Sequence, residues 1–351
     1  MNIKDLLSDA VSMGASDIFI VAGRPIAFAI NNVITDMATE KLMPDDTENL
    51  IKQIYSMCPN YNMDNLLKIG NEDFAFAIAG ISRFRVSTYM QRNSYAAVIR
   101  AISFEMPDPN QLQIPETILS LADCKKGLVL VTGPAGSGKS TTLACMIDRI
   151  NTNHSGHIIT LEDPLEYLHK HKKSIVSQRE IFIDCPSYIS ALKSALRQKP
   201  DVILLGEMRD LDTISVAMTA AETGHLILSS LHTIGAANTI DRILDVFPSD
   251  QQRQIAVQLA MILQAVVSQQ LLPTVNGKLV PVFEVMTVNS AVRNMIRENK
   301  IHQLDNVIAS SAADDMFSMD SSILKLYKQG IISKSTALIY AANQETLSRK
   351  L

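Results

Sequence analysis

The sequence predicts an α/β protein in two parts. A small N-terminal α+β domain precedes a larger domain built on a mostly parallel sheet that ends in a helical tail. Three observations predict it. Over the first hundred residues, short apolar stretches of strand character alternate with helical spacing. Later, "GLVLV", "HIIT", "DVILLG" and "HLILSSL" are continuous apolar runs separated by helical segments, the pattern of parallel strands buried on both faces. Between the two parts, "EMPDPNQLQIPE" carries three prolines among polar residues, a linker composition. The boundaries read as 1–104 for the first domain, 105–116 for the linker, 117–288 for the sheet domain and 289–351 for the helical region.

The elements follow in order. "IKDLLSDAV" places Ile3, Leu6, Leu7, Ala10 and Val11 on one helical face. "SDIFIVAG" and "PIAFAIN" read as strands joined by the turn "GRP". "DDTENLIKQIYSM" opens with acids and continues with helical spacing. "DFAFAIAGISRFRVSTYM" is a hairpin turning near Ala79 and Gly80, and "SYAAVIRAI" is a further strand. In the tail, "SAVRNMIRENKIHQLDNVI" spaces Val292, Met295, Ile296, Ile301, Leu304 and Ile308 as a buried stripe.

Composition narrows the function classes. The chain has 351 residues, 47% hydrophobic and 19% charged, with a net charge of −4, so it is long enough for two real cores. An acidic balance is no footprint for broad nucleic-acid binding, and no nucleic-acid partner is expected. Cys58, Cys124, Cys145 and Cys185 form no C-x-x-C pair, which points away from a zinc ribbon and fits a reducing cytoplasm. The N-terminus lacks the apolar core of a secretory signal. "IAVQLAMILQAVVSQQLLP" is interrupted by Gln258, Gln264, Gln269 and Gln270, so direct membrane insertion is not expected.

The strongest local signal is G-x-x-x-x-G-K-S, spelled by Gly133, Pro134, Ala135, Gly136, Ser137, Gly138, Lys139 and Ser140, with Thr141 next. An apolar strand precedes it and an amphipathic helix follows, the context this chemistry needs. Glycines let backbone amides curl round a phosphate, and the helix end adds partial positive charge. Lys139 is placed for the β- and γ-phosphates of ATP, and Ser140 for Mg²⁺. The competing reading, a glycine-rich turn beside a chance lysine, does not account for the strand and helix.

Acids for metal and water come from two other strand ends. "DVILLGEMRD" ends a strand at Glu207, the usual place for an acid that holds Mg²⁺ directly or through water. "TLEDPLEY" follows "HII" and carries Glu162, Asp163 and Glu166. Open α/β sheets bind ligands beyond their strand carboxyl ends, so a carboxylate here can orient and deprotonate the attacking water. Residue pattern alone leaves Glu162 and Glu166 both open. His225 and His232 flank the strand in "AAETGHLILSSLHT"; His232, past its end, is the better placed for the γ-phosphate edge.

Four ordered segments carry a resemblance: "GPAGSGKSTTLA", "IITLEDPLEYLHKHKKSIVSQREI", "ALRQKPDVILLGEMRDLDTI" and "TAAETGHLILSSLHTIGAANTIDRILDVFP". They resemble the Walker A, Asp box, Walker B and His box of secretion-superfamily ATPases, and most of all the retraction ATPases of type IV pili. "GISRFRVSTY" resembles that family's arginine-bearing hairpin, and "AVRNMIRE" resembles its "AIRNLIRE" motif, associated with retraction. "SDIFI" resembles "SDLHL" with the histidine replaced, and Ala135 stands where the family often has Thr. The tetracysteine module of assembly-type relatives is absent from the sequence.

The resemblance implies a PAS-like first domain and a RecA-like ATPase core. It implies Glu166 as catalytic glutamate, Glu207 as the Walker B acid, and catalytic places for His225 and His232. It implies a homohexamer with ATP between neighbouring subunits, reached by Arg85 and Arg100, with Arg83 a weaker candidate. It implies work on an inner-membrane pilus platform protein from the cytoplasmic side, and a related accessory pilus ATPase as partner. "AVRNMIRE" reads equally as a coupling helix or as a core helix with a charged outer face. The alternatives are a pilus-assembly or type II secretion ATPase, or an ATP-binding regulatory subunit.

Overall fold

A computed structural model gives the fold for residues 2–30, 33–59, 61–102, 106–310 and 315–351. The expected boundary at 104 and 105, and residues 311–314 of the tail, lie outside the described residues. By its internal contacts the chain divides into Met1–Glu105 with Glu166–Leu168, and Met106–Leu165 with His169–Leu351. The proline-bearing stretch from Met106 onward thus groups with the second unit.

In the first unit, helix α1 (Ile3–Ser12) is capped by Asn2, whose side chain accepts from Lys4 N. Strands β1 (Asp17–Ile20), β2 (Ala27–Ile30) and β3 (Val33–Asp36) follow, then helices α2 (Pro44–Ser56) and α3 (Met63–Ile69). Strands β4 (Asn71–Ile78), β5 (Ser82–Gln91) and β6 (Ser94–Ile102) complete the unit. Among the described residues these strands form one antiparallel sheet in the order β3-β2-β1-β6-β5-β4. Alternation decides its two faces. Phe74, Phe84, Val86 and Ile99 point into a core shared with Leu7, Leu50 and Ile54 of the helices. Each buried ring there contributes about 2–3 kcal/mol. Arg83, Arg85 and Arg100 lie on the opposite face.

The second unit opens with α4 (Glu116–Ser120), β7 (Gly127–Thr132), α5 (Lys139–Asn153), β8 (His157–Glu162) and β9 (Ile175–Glu180). Next come α6 (Tyr188–Ala195), β10 (Val202–Leu205), α7 (Leu211–Glu222), β11 (Leu226–Leu231), α8 (Ala236–Asp245) and α9 (Gln252–Ile262). The span interrupted by glutamines is α9 followed by β12 (Leu263–Pro273), which pairs with β13 (Leu279–Thr287). The sheet order is β13-β12-β7-β11-β10-β8-β9. All of its pairs are parallel except β12 with β13.

Helices cover both faces, as a parallel sheet of continuous apolar strands requires. Leu128, Leu130, Ile203 and Ile227 face α6 to α9, whereas Val129, Val131, Leu204 and Leu228 face α4 and α5. This second unit is RecA-like in architecture. The tail consists of α10 (Ser290–Arg297), α11 (Leu304–Ser310), α12 (Met319–Lys328), α13 (Lys334–Tyr340) and α14 (Gln344–Ser348). Its expected stripe is real: Val292, Ile296, Ile301, Leu304 and Ile308 are buried and Met295 is partly so. No helix among the described residues is long and apolar enough to cross a membrane.

A half-buried histidine, His169, should give the second unit a pH dependence. Burial pushes His169 down to about 4, and its Nδ1 has no hydrogen-bond partner. The folded chain therefore holds fewer protons at this site than the unfolded chain. Its contribution is present above the ordinary histidine value and is lost as pH falls toward 4, by about 3 kcal/mol at most. Denaturant titrations of wild type and His169→Gln at pH 7 and pH 4 should show the variant losing less. Equal losses would refute the assignment.

Candidate phosphate and metal site

The carboxyl ends of β7, β11, β10 and β8 lie along one edge of the sheet, because these strands are parallel and in near register. From β7 the chain enters the loop Gly133–Gly138, and α5 begins at Lys139. Two glycines are required by geometry. A Cβ on Gly133 would fall 2.1 Å from the Gln269 carbonyl oxygen. Gly138, with φ of 87°, caps α5 in the left-handed region, and a Cβ there would meet Gln269 Nε2 at 2.9 Å. The space beside Gly136 is open, although its φ of 75° also lies in the left-handed region that favours glycine. Lys139 is buried, and its Nζ donates to the carbonyls of Gly133 and Pro134 at 2.9 Å each.

Gln269 of β12 also accepts from Thr142 Oγ1 at 2.7 Å, so it braces both the loop and the first turn of α5. Its strand lies beside β7 in space but is distant in sequence, and only β-pairing reveals the role. A cavity of about 510 Å³ adjoins the start of α5, lined by Gly138, Thr141, Thr142, Gln269, Lys278 and Ile331 among others. That volume is in the range of small-ligand sites.

Glu207 stands two residues past β10, with its side chain 14% exposed. Its Oε2 accepts from Arg209 Nε at 2.6 Å and lies 3.3 Å from His232 Nε2. His232 directly follows β11, so adjacent strand ends bring these two expected residues together. Tyr188 joins them unforeseen: a Cβ on Gly206 would lie 2.9 Å from its hydroxyl and 3.3 Å from Glu162 Cα. Burial, then the charges of Glu207, Asp163 and Glu162, push the Tyr188 phenol well above its usual range, so it remains a hydrogen-bond donor.

His225, the other histidine of the expected set, lies at the opposite end of its strand from His232. It precedes β11, and its Nδ1 lies 2.9 Å from the Ala220 carbonyl. Six residues of strand, roughly 20 Å, separate it from the phosphate edge, because a parallel strand exposes only its carboxyl end there. Within this chain its backbone N and its ring both face the Ala220 carbonyl in the last turn of α7.

Glu162 closes β8, with Oε1 buried. Glu166 is exposed and groups with the first unit. On the first unit's sheet, Arg85 and Arg100 are directly paired across β5 and β6, and Arg100 Nε donates to Asp17 at 2.9 Å. Like charges paired this way are destabilising unless an anion is near, and Asp17 pairs with Arg100. Arg83 shares their face, at the register position of Ile102.

The loop residues fit a nucleotide. Ser137 Oγ is buried inside the loop without a hydrogen-bond partner, as a group awaiting a phosphate oxygen would be. Ser140 and Glu207 offer only hard oxygen donors, the chemistry Mg²⁺ prefers. Among the described residues no cluster of three or more His, Cys, Asp and Glu could hold a metal by itself.

The family model for "Type II/IV secretion system protein" matches residues 1–279. The chain belongs to the type II/IV secretion system protein family. Among curated relatives of this secretion-family chain, the type IV pilus retraction ATPase PilT of Pseudomonas aeruginosa is 40% identical over 337 residues, 96% of this chain and 97% of PilT. The type IV pilus ATPase PilU of the same organism is 38% identical, covering 100% of this chain and 92% of PilU. A crystal structure of the pilus retraction motor PilT with bound ADP superposes with a TM-score of 0.91 at 44% identity, covering 99% of both chains.

Proposed function

We propose that this secretion-family ATPase is a Mg²⁺-dependent motor that retracts type IV pili and so drives twitching motility. It works as a homohexamer on the cytoplasmic face of the inner membrane, against a membrane-embedded platform protein, with a related accessory pilus ATPase as a further partner. Full-length agreement with the PilT motor supports this reading, since it extends through both units and the tail.

The loop Gly133–Gly138 and the end of α5 bind the phosphates through backbone N–H groups, and the cavity beside α5 takes the nucleoside. Ser140 and, directly or through water, Glu207 would hold Mg²⁺, which when bound would supply positive charge against the phosphate oxygens. His232 and Arg209 fix the Glu207 carboxylate. Glu166 orients the attacking water and takes its proton. Arg85 and Arg100 of a neighbouring subunit neutralise the charge that develops on the phosphoryl group. ATP therefore closes one subunit's first unit onto its neighbour's loop, and hydrolysis releases it.

Lys139→Ala separates a motor from an ATP-binding regulator. Loss of charged hydrogen bonds to phosphate should weaken nucleotide binding about 100-fold and abolish turnover at micromolar ATP. A purified wild-type chain with no turnover to lose would instead be a regulator. For direction, the gene is deleted and surface pili are counted by electron microscopy. Excess pili with lost motility are the expected result; bare cells would make the chain an assembly ATPase.

A further inference from the structure

A buried carboxylate outside the phosphate edge joins two parts of the second unit. Glu284, in β13, is 6% exposed. Its Oε1 accepts from the backbone N of Ala236 at 2.8 Å, and its Oε2 from that of Met319 at 3.2 Å. Ala236 opens α8 and Met319 opens α12. Both donors belong to the unsatisfied first turn of a helix, where an anion is favoured by the helix dipole as well. A carboxylate this deep is costly unless hydrogen-bonded. Burial raises the Glu284 carboxyl above its ordinary value, and the two backbone donors counter that rise.

The segment entering α8 is His232–Gly235, the segment that presents His232 to Glu207. It is held at other points too: Gly235 N donates to Ser268 Oγ at 2.9 Å, and the Thr233 and Thr239 hydroxyls are 2.7 Å apart. On the other side, Met319 and Ile323 of α12 pack with Ile332, Ala337 and Leu347 of the tail and with Val280 and Val282 of β13. A continuous path thus runs from Glu207 through His232 and its loop to Ala236, across Glu284, and into the tail helices.

We infer that Glu284 is a positioning residue: one carboxylate holds the loop that aims His232 and, with its other oxygen, ties that loop to the C-terminal helices. The tail is thereby mechanically joined to the phosphate edge. The inference rests on the proposed ATPase reading, in which His232 steadies Glu207.

The test uses the full-length chain. Glu284→Met fills the space but removes both acceptors. With melting temperature within a few degrees, kcat should fall about tenfold while KM for ATP stays within twofold, because a misaimed His232 affects the reaction rather than binding. In a double-mutant cycle, Glu284→Met should add almost nothing to His232→Asn. Losses that multiply, or a kcat reduced only by the unfolded fraction, would overturn the inference. Should Glu284→Met fail to fold, Glu284→Gln, which keeps one acceptor, enters the same cycle. Amide hydrogen exchange decides the joint independently of turnover. Faster exchange in both His232–Ile240 and the first turn of α12 upholds it, and a change confined to α12 refutes it. A wild-type chain without turnover would defeat the ATPase reading, while the exchange result would still stand.

Discussion

Glu166→Gln should lower kcat for ATP about a thousandfold and leave KM within a factor of two. The change keeps the side chain's size but removes the only function proposed for it, accepting a proton from the attacking water. Glu166 is exposed and four residues beyond the end of β8, so little folding energy depends on it. Glu162 differs: it closes the strand, and its Oε1 is buried. Glu162→Gln should therefore shift stability more than Glu166→Gln does and turnover less. Steady-state ATPase assays on rings sized by light scattering check both. Wild-type turnover by Glu166→Gln in an intact ring would remove Glu166 from the mechanism.

Arg85→Ala and Arg100→Ala should each cost on the order of a thousandfold in kcat, the scale of arginines that meet a transferring phosphoryl group. Stability should move the other way or not at all. Removing either guanidinium relieves the like-charge pair across β5 and β6, and the apolar core lies on the opposite face. Arg85→Ala is the cleaner variant, because Arg100 also pairs with Asp17. Mixed rings decide whether the arginine acts on a neighbour's nucleotide. Arg85→Ala subunits mixed with Glu166→Gln subunits should regain part of the activity, since some interfaces would unite an intact arginine with an intact glutamate. No recovery in verified mixed rings would place both residues at one subunit's own site.

Readings of "AVRNMIRE" as core helix and as coupling helix look alike in sequence, and the fold separates its residues. Val292 and Ile296 are core. Arg293 donates to the carbonyls of Ala260 and Met261 at the end of α9, a C-terminal cap. Ala291, Asn294, Arg297 and Glu298 remain exposed, so a coupling contact made by this helix would fall mainly to them.

The phosphate loop was legible because its parts are contiguous: strand, glycines, lysine and helix lie within one stretch, and their geometry is local. The same holds for the acids at strand ends, since an apolar run followed by Glu207 needs no distant partner to be read. Strands β3, β9, β12 and β13 lie outside the elements the sequence predicts, and for β12 the reason is specific. Ser268, Gln269 and Gln270 break its apolar pattern yet are buried. Ser268 and Gln269 satisfy their polar atoms on the β11–α8 loop and on α5.

By itself, then, the sequence determined the strand–loop–helix proposed to cradle phosphate, the two-part organisation and the apolar faces, all set by short-range periodicity and turn chemistry. Only the tertiary structure decided which histidine stands beside Glu207 at the carboxyl edge of the sheet, that Tyr188, Arg209 and Gln269 lie along that edge, and that Glu284 fastens two helices. Those outcomes depend on strand polarity and on pairings between residues far apart in the chain, and no local pattern encodes them.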